Sequence, residues 1–346
     1  MIEIIELSRH FGAIKAVDEI SFNIAPGEIV GFLGPNGAGK TTTMRMMVGF
    51  LQPSSGSIMI DGESIYADPI KTSQKIGYLP ETNPLYNEQT VYDFLAYVGA
   101  LRKLGKAKFK ERLAYVVENC GLKAVLHQKI GTLSKGYRQR TGLAQAILHD
   151  PEVLILDEPT SGLDPNQIIE IRELIRSLGK EKTLILSSHI MQEVQALCDR
   201  IVIISGGRIV ANDSQESLLN RFSPHQEIRL RFEAQNPDLN ELWQEFPQLQ
   251  LLSEERLGSE VILKLSADAE LDLQRDLARF CAGRNWLVLE IHGQKNNLED
   301  VFVNLTKSSA TETVCEDPVP EPEPSESASI QEQGEAATES TEKEQA

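Results

Sequence analysis

Residues 34–42 read GPNGAGKTT and match the spacing G-x-x-x-x-G-K-S/T. That spacing serves the holding of a polyphosphate. Glycines at 34, 37 and 39 let backbone N–H groups turn toward phosphate oxygens, and Pro35, Asn36 and Ala38 complete the loop. The helix expected next, over 42–50, adds its positive N-terminal end. Lys40 is placed to reach the β and γ phosphates, and the Thr41 hydroxyl, with Thr42 beside it, to ligate Mg²⁺. The apolar run EIVGFL precedes the loop, so the strand–loop–helix setting is complete.

A second constellation is VLILDE, residues 153–158. Its apolar part reads as a strand buried on both faces. Asp157 and Glu158 stand at its carboxyl end, the edge where open parallel sheets place their sites. Asp157 is expected to hold Mg²⁺ through water, and Glu158 to polarise the water that attacks the γ-phosphate. An acidic pair at a strand end says little alone; the upstream loop gives it meaning. His189 follows TLILSS, where a histidine can donate a hydrogen bond to γ-phosphate, although a surface histidine is the commoner outcome there. Glu81 follows KIGYLP and, alone, is a loop carboxylate. The stretch LSKGYRQRTGLAQAIL, 133–148, starts as a turn and continues with Leu143, Ile147 and Leu148 at helical spacing. A helix is expected there over 137–149.

These residues need a scaffold. Over 1–205, the runs IEIIEL, EIVGFLG, SIMIDG, KIGYLPE, VLILDE, TLILSSH and RIVIIS alternate with helical patterns, an α/β arrangement. Between 88 and 129 the pattern is helical: Val91, Phe94, Leu95 and Val98, then Phe109, Leu113, Val116 and Val117. This predicts a helical insert, about 82–148, within a first domain of 1–217. The chain turns at SGGRIVANDS. From 226 to 293 the order β-α-β-β-α-β predicts a small α+β domain of the ferredoxin-like kind, spanning 225–307. NNLEDVFVNLT closes it as a helix capped by Asn297. Residues 308–346, rich in Glu, Pro, Ser, Thr and Ala, read as a disordered acidic tail.

Composition narrows the class. The 346 residues carry a net charge of -17, but ten of those charges sit in the tail, where eleven Asp or Glu face one Lys. No basic surface points to nucleic acid. The four cysteines, at 120, 198, 281 and 315, show no CxxC spacing, which argues against zinc or a disulfide framework and for reduced thiols in the cytosol. The start, MIEIIELSRHFG, lacks the pattern of a signal peptide, and no apolar run approaches the ~20 residues of a membrane span. Membrane contact is therefore expected only through a partner.

The order of phosphate loop, Glu81 loop, LSKGY, VLILDEPTSGLD and His189 resembles the ATPase subunit of ABC transporters across residues 2–217. Phrases such as FLGPNGAGKTTTM, IGYLPE and LILDEPTSGLDP resemble the exporter branch that includes gliding-motility, multidrug and sodium-efflux systems. The resemblance implies a P-loop NTPase fold that binds and hydrolyses ATP with Mg²⁺. It implies a head-to-tail homodimer holding two ATP, in which Ser134 and the backbone at Gly136 bind the partner copy's γ-phosphate. Phe11 matches the aromatic that stacks on adenine, with a core phenylalanine as the other reading, and Asp164 joins the two sites. A transmembrane permease subunit would be moved through the insert, placing the chain on the inner face of the membrane as part of an exporter. Two places depart from the family pattern. Lys135 and Tyr137 stand where L-S-G-G-Q has glycine and glutamine; Lys135 either adds charge near phosphate or points to solvent. Glu81 replaces a glutamine, so it could bind metal but not donate a hydrogen bond. Two rivals remain: an ATPase energising gliding or surface machinery without export, and a soluble ABC protein of translation or repair. The second expects two cassettes or a coiled coil, against one phosphate loop and no heptads here.

Overall fold

The computed structural model describes residues 1–222, 225–268, 271–295 and 298–311. The first unit runs through β1 (Ile2–Phe11), β2 (Ile14–Ile24), β3 (Ile29–Leu33), α1 (Lys40–Met47), β4 (Ser55–Ile60), β5 (Glu63–Ser64), α2 (Pro69–Lys75) and β6 (Ile76–Leu79). Then come α3 (Val91–Leu101), α4 (Lys106–Asn119), α5 (Lys135–Ile147), β7 (Val153–Asp157), α6 (Pro165–Gly179) and β8 (Thr183–Ser188). It ends with α7 (Met191–Leu197), β9 (Arg200–Ser205), β10 (Arg208–Ser214) and α8 (Gln215–Phe222). The rest comprises β11 (His225–Glu233), α9 (Leu239–Glu245), β12 (Gln250–Leu257), β13 (Glu260–Asp268), α10 (Gln274–Gly283), β14 (Leu287–Lys295) and α11 (Leu298–Thr311).

The strands of the first unit form two sheets, where the alternating pattern suggested one series. The larger has the order β10-β9-β3-β8-β7-β6, and all its pairs are parallel except β9 with β10. The smaller, β2-β1-β4-β5, is antiparallel. Thus IEIIEL and SIMIDG belong to a separate sheet, completed by β2, which the sequence reading left out. In IKAVDEISFNI the buried Ile20, Phe22 and Ile24 alternate with the exposed Glu19, Ser21 and Asn23, the period of a strand with one solvated face. The turn SGGRIVANDS likewise contains β10.

Alternation along the central strands splits the core. Val30, Phe32, Val153, Ile155, Ile185, Val202 and Ile204 face the small sheet, and α1 is packed between with Met44, Met46 and Met47. Leu33, Leu154, Leu156, Leu184, Leu186, Ile201 and Ile203 face the helices. The phosphate-loop helix is therefore wedged between two layers.

The insert is helical as expected. Val91, Phe94, Leu95 and Val98 are buried, and Thr90 caps α3 by accepting from the Asp93 N–H. In α4 the inward residues include Arg112, whose guanidinium donates to the Ile147 carbonyl at 2.9 Å and so closes the C-terminal end of α5. That helix begins at Lys135, two residues earlier than expected, because the Ser134 hydroxyl caps it by accepting from the Tyr137 N–H. Helix α1 likewise begins at Lys40 rather than 42, out of the left-handed Gly39.

The second unit is one antiparallel sheet, β12-β13-β11-β14, in β-α-β-β-α-β chain order. Ile228, Leu230 and Phe232 face Leu277, Phe280 and Trp286, with the Phe232 and Trp286 rings stacked at 4.7 Å. Helix α11 departs from expectation. It returns to the first unit, where Leu298 is buried in the helical-side core and Phe302 and Leu305 pack against it. Its apolar face finds its cover there, and its backbone continues to Thr311, past the expected boundary at 308. Helix α8 also packs Leu218 into that core, so the first unit reaches beyond 217. Asn297, Cys315 and the acidic segment 312–346 lie outside the described residues. The thiols of Cys120, Cys198 and Cys281 are buried and free, and burial pushes Cys120 up to about 12. Among the described residues no helix is long and apolar enough to cross a membrane.

Candidate active site

Parallel pairing brings the carboxyl ends of β3, β6, β7 and β8 to one edge of the large sheet. There, a cavity of about 410 Å³ is lined by Asn36, Gly37, Gly39, Lys40, Thr41, Thr42, Glu81, Glu158 and His189, with Ala16 and Ser161. The structure thus gathers residues from opposite ends of the first unit, from Ala16 to His189.

Gly39 shows why the loop needs its glycines. Its φ is +107°, and a Cβ there would lie 2.4 Å from the Ala16 carbonyl oxygen. Gly34 and Pro35 present their carbonyls to Lys40, whose ammonium donates to them at 2.7 and 3.2 Å. Ala38 is different: its side chain is part of the core between the sheets.

Lys40 is 6% exposed, and its Nζ lies 3.8 Å from Glu158 Oε1. Burial holds the Lys40 amine below its usual range, against the raising influence of Glu158, Asp157 and Glu81. Burial also holds the Glu158 carboxyl above the usual carboxylate range, against His189 and Lys40. Desolvation is the larger effect on both members of the pair. His189 Nδ1 is 2.9 Å from Glu158 Oε2, and the ring is about half exposed. Glu158 itself has φ +49°, a left-handed conformation that costs a non-glycine residue about 1–3 kcal/mol. Its N–H donates to Ser187 Oγ at 2.9 Å.

Asp157 is fully buried. Its Oδ1 accepts from Ser187 Oγ at 2.6 Å and from Thr41 Oγ1 at 3.3 Å, while Oδ2 has no partner. A buried carboxylate oxygen without a partner, beside a hydroxyl, fits a hard divalent cation with oxygen ligands. Among the described residues no three His, Cys, Asp or Glu form a metal cluster. A Mg²⁺ ion here would draw further ligands from phosphate and water, its usual habit.

Ser187 was missed by sequence reasoning; the signal was a polar residue closing a wholly buried strand, LILSS. Gln139 was missed too. It is buried in α5 and its Nε2 donates to the Pro159 carbonyl at 2.8 Å.

Three expected residues are elsewhere. Ser134, Gly136 and Asp164 line a second cavity of about 410 Å³ with Tyr137, Arg140 and Gln167, and it shares no lining residue with the first. Asp164 caps α6, accepting from the Gln167 N–H at 2.9 Å. The end of the Gln167 side chain lies against Gly136, 2.6 Å from where a Cβ would stand. Lys135 is exposed, yet its ammonium lies against Gly162, where a Cβ would be only 1.9 Å away; it covers that turn instead of extending into solvent. The Tyr137 ring is half-buried against the helical-side core. Phe11 is 46% exposed with the Arg9 guanidinium 4.6 Å from its ring centroid, so it is not a core phenylalanine.

Comparison with known proteins agrees with this arrangement. The family model described as ABC transporter matches residues 17–161. The bacitracin transport ATP-binding protein BcrA of Bacillus licheniformis is 35% identical over 307 residues, covering 88% of this chain and 97% of its own. The linearmycin resistance ATP-binding protein LnrL of Bacillus subtilis is 33% identical over 307 residues, covering 88% and 98%. A solved ATP-binding subunit of an ABC transporter superposes with a TM-score of 0.60 at 29% identity, over 71% of this chain and 99% of its own. With a phosphate loop, two strand-end carboxylates and relatives matched along nearly their whole length, the chain belongs to the ABC transporter ATP-binding proteins and carries their ATPase domain.

Proposed function

We propose that the chain powers a membrane exporter as a head-to-tail pair that closes on two ATP molecules and moves a separate transmembrane subunit. The observation that carries the reading is the division of the site. One cavity holds Lys40, Glu158 and His189, and the other holds Ser134, Gly136 and Asp164. Each is half of what phosphoryl transfer needs, and a second copy turned head to tail would bring opposite halves together.

In that arrangement the N–H groups of residues 36–42 cradle the phosphates, and Lys40 leaves the Gly34 and Pro35 carbonyls for the β and γ oxygens. Phe11 stacks on adenine. Thr41 and Asp157 would hold Mg²⁺, with Glu81 at the cavity edge, and the ion would supply neutralisation of charge on the phosphates. Glu158 takes a proton from water as the water oxygen bonds to the γ-phosphorus and the bond to the β-phosphate oxygen breaks. His189 holds Glu158 through Nδ1; donating to the γ-phosphate through Nε2 as well requires the imidazolium. The partner copy's Ser134 and the N-terminus of its α5 meet the γ-phosphate. Asp164 sits where the two copies join.

The insert supports the permease contact: Tyr86, Tyr97 and Leu101 are exposed apolar surface there, with the two tyrosine rings edge-on at 5.7 Å. Relatives named for bacitracin transport and linearmycin resistance support export, and the chain would then work from the inner face of the membrane. They lend no support to a gliding-machinery role. The sheet order of the second unit supports a ferredoxin-like accessory domain over about 225–295.

Mixing variants tests the pairing. A Lys40→Ala chain and a Ser134→Ala chain, each inactive alone, should together regain about a quarter of native sites, since half the pairs are mixed and each has one intact site. No recovery would mean that Ser134 serves its own chain.

A further inference from the structure

Glu158 carries the hydrolytic step in the reading above, yet its backbone is left-handed at φ +49°. A non-glycine residue stays there only if its surroundings hold it. Its own carbonyl accepts from the Ser161 N–H at 3.1 Å, closing a turn, and two side chains brace that turn. On the strand side its own N–H donates to Ser187 Oγ at 2.9 Å. On the helix side Gln139 Nε2 donates to the carbonyl of Pro159, the next residue, at 2.8 Å. Gln139 is 8% exposed, so water does not substitute for it readily. Lys135, one turn earlier on the same face of α5, lies against Gly162. The loop after Glu158 is therefore laid along one helix face, and that helix is anchored by the buried Leu143 and Ile147.

We propose that Gln139 is a positioning residue for ATP hydrolysis: its amide pins the Pro159 carbonyl, and thereby holds Glu158 in the left-handed conformation that aims its carboxylate into the phosphate cavity. Gln139 touches neither phosphate nor the attacking water and acts through Glu158. Without the donor, the buried carbonyl loses its partner, and the turn after Glu158 keeps only its internal bonds from Ser161 and Leu163. The carboxylate then leaves its place 2.9 Å from His189 Nδ1 and 3.8 Å from Lys40 Nζ. Fluctuation of about 1 Å at such a group costs up to roughly a hundredfold in rate.

The inference rests on Glu158 as the base, so the test separates the two. Full-length chains carrying Gln139→Met, Glu158→Gln or both are compared for kcat, KM, ATP affinity and Tm. Gln139→Met keeps side-chain length and removes the donor. It should lower kcat by about tenfold or more and leave ATP affinity within about twofold. In the Glu158→Gln background it should add nothing. Gln139→Lys keeps a donor and should retain turnover, whereas Gln139→Glu faces the carbonyl with a carboxylate and should lose it. These two carry the comparison if Gln139→Met does not fold. Native turnover in Gln139→Met or Gln139→Glu, an equal loss in the Glu158→Gln background, or ATP affinity falling in step with kcat would each overturn the positioning role. Native turnover in Glu158→Gln would overturn the role of Glu158 instead.

Discussion

Changing Glu158 to Gln separates binding from chemistry. The amide has the shape of the carboxyl and can still accept from His189, and the backbone bond to Ser187 is untouched. What disappears is one buried negative charge and a basic oxygen. That charge lies 3.8 Å from the Lys40 ammonium, with both side chains under 9% exposed. At an effective dielectric of about 20, unit charges at that distance attract by about 4 kcal/mol. An incoming γ-phosphate competes with this attraction for Lys40 and is repelled by the same carboxylate. Glu158→Gln removes both obstacles. If a third of that attraction appears in binding, about 1.4 kcal/mol, ATP affinity rises about tenfold. Loss of the base should cut hydrolysis by roughly a hundred- to ten-thousandfold. Equilibrium binding of ATP, steady-state phosphate release and sedimentation with ATP measure the three consequences: tighter binding, near-silent turnover and a persistent pair. Weaker ATP binding with normal Tm would refute the electrostatic reasoning, and ordinary turnover would refute the assignment of the base.

Gly39→Ala forces a Cβ toward the Ala16 carbonyl at φ +107°, and should weaken ATP binding by about 1–3 kcal/mol with far-UV circular dichroism unchanged; native affinity by calorimetry would contradict it. Ser134→Ala removes the α5 cap and should lower stability by about 1 kcal/mol in denaturant titration. Ser134→Asp keeps a capping oxygen and stability but sets a carboxylate against phosphate, so turnover should fall while ATP still binds; full activity would argue against a phosphate contact at Ser134. Burial raises the Glu158 carboxyl against the lowering influence of His189, so the acid limb of kcat/KM should lie above the ordinary glutamate value of about 4.3. The base works ionised, so activity is lost as pH falls through that raised value. His189→Gln should move the limb further up; a downward move would reverse the sign of the argument.

Much of the candidate site was legible along the chain because its motifs are contiguous. A phosphate loop needs its glycines, lysine and threonine within nine residues, directly after a buried strand and before a helix. Likewise VLILDE declares both its burial and its carboxylates in six letters. Helical periods marked the insert, and the alternation from Gln226 to Phe232 marked the strand that opens the second unit. These are local quantities, set by backbone period and side-chain type. Tertiary structure decided what depends on pairing between distant segments. IEIIEL and SIMIDG left the parallel series because β2 gave them an antiparallel partner. Helix α11 closed on the first unit because its apolar face found cover there. Ser187 became a link between Asp157 and Glu158, and Gln139 met Pro159, only because β8 and α5 flank β7 and the loop beyond it. Lys135, a departure from the family's glycine, gained a place over Gly162 in the same way. The sequence alone determined which residues could hold phosphate and take a proton. Strand register and helix packing decided which of them face one cavity, and left Ser134, Gly136 and Asp164 in another.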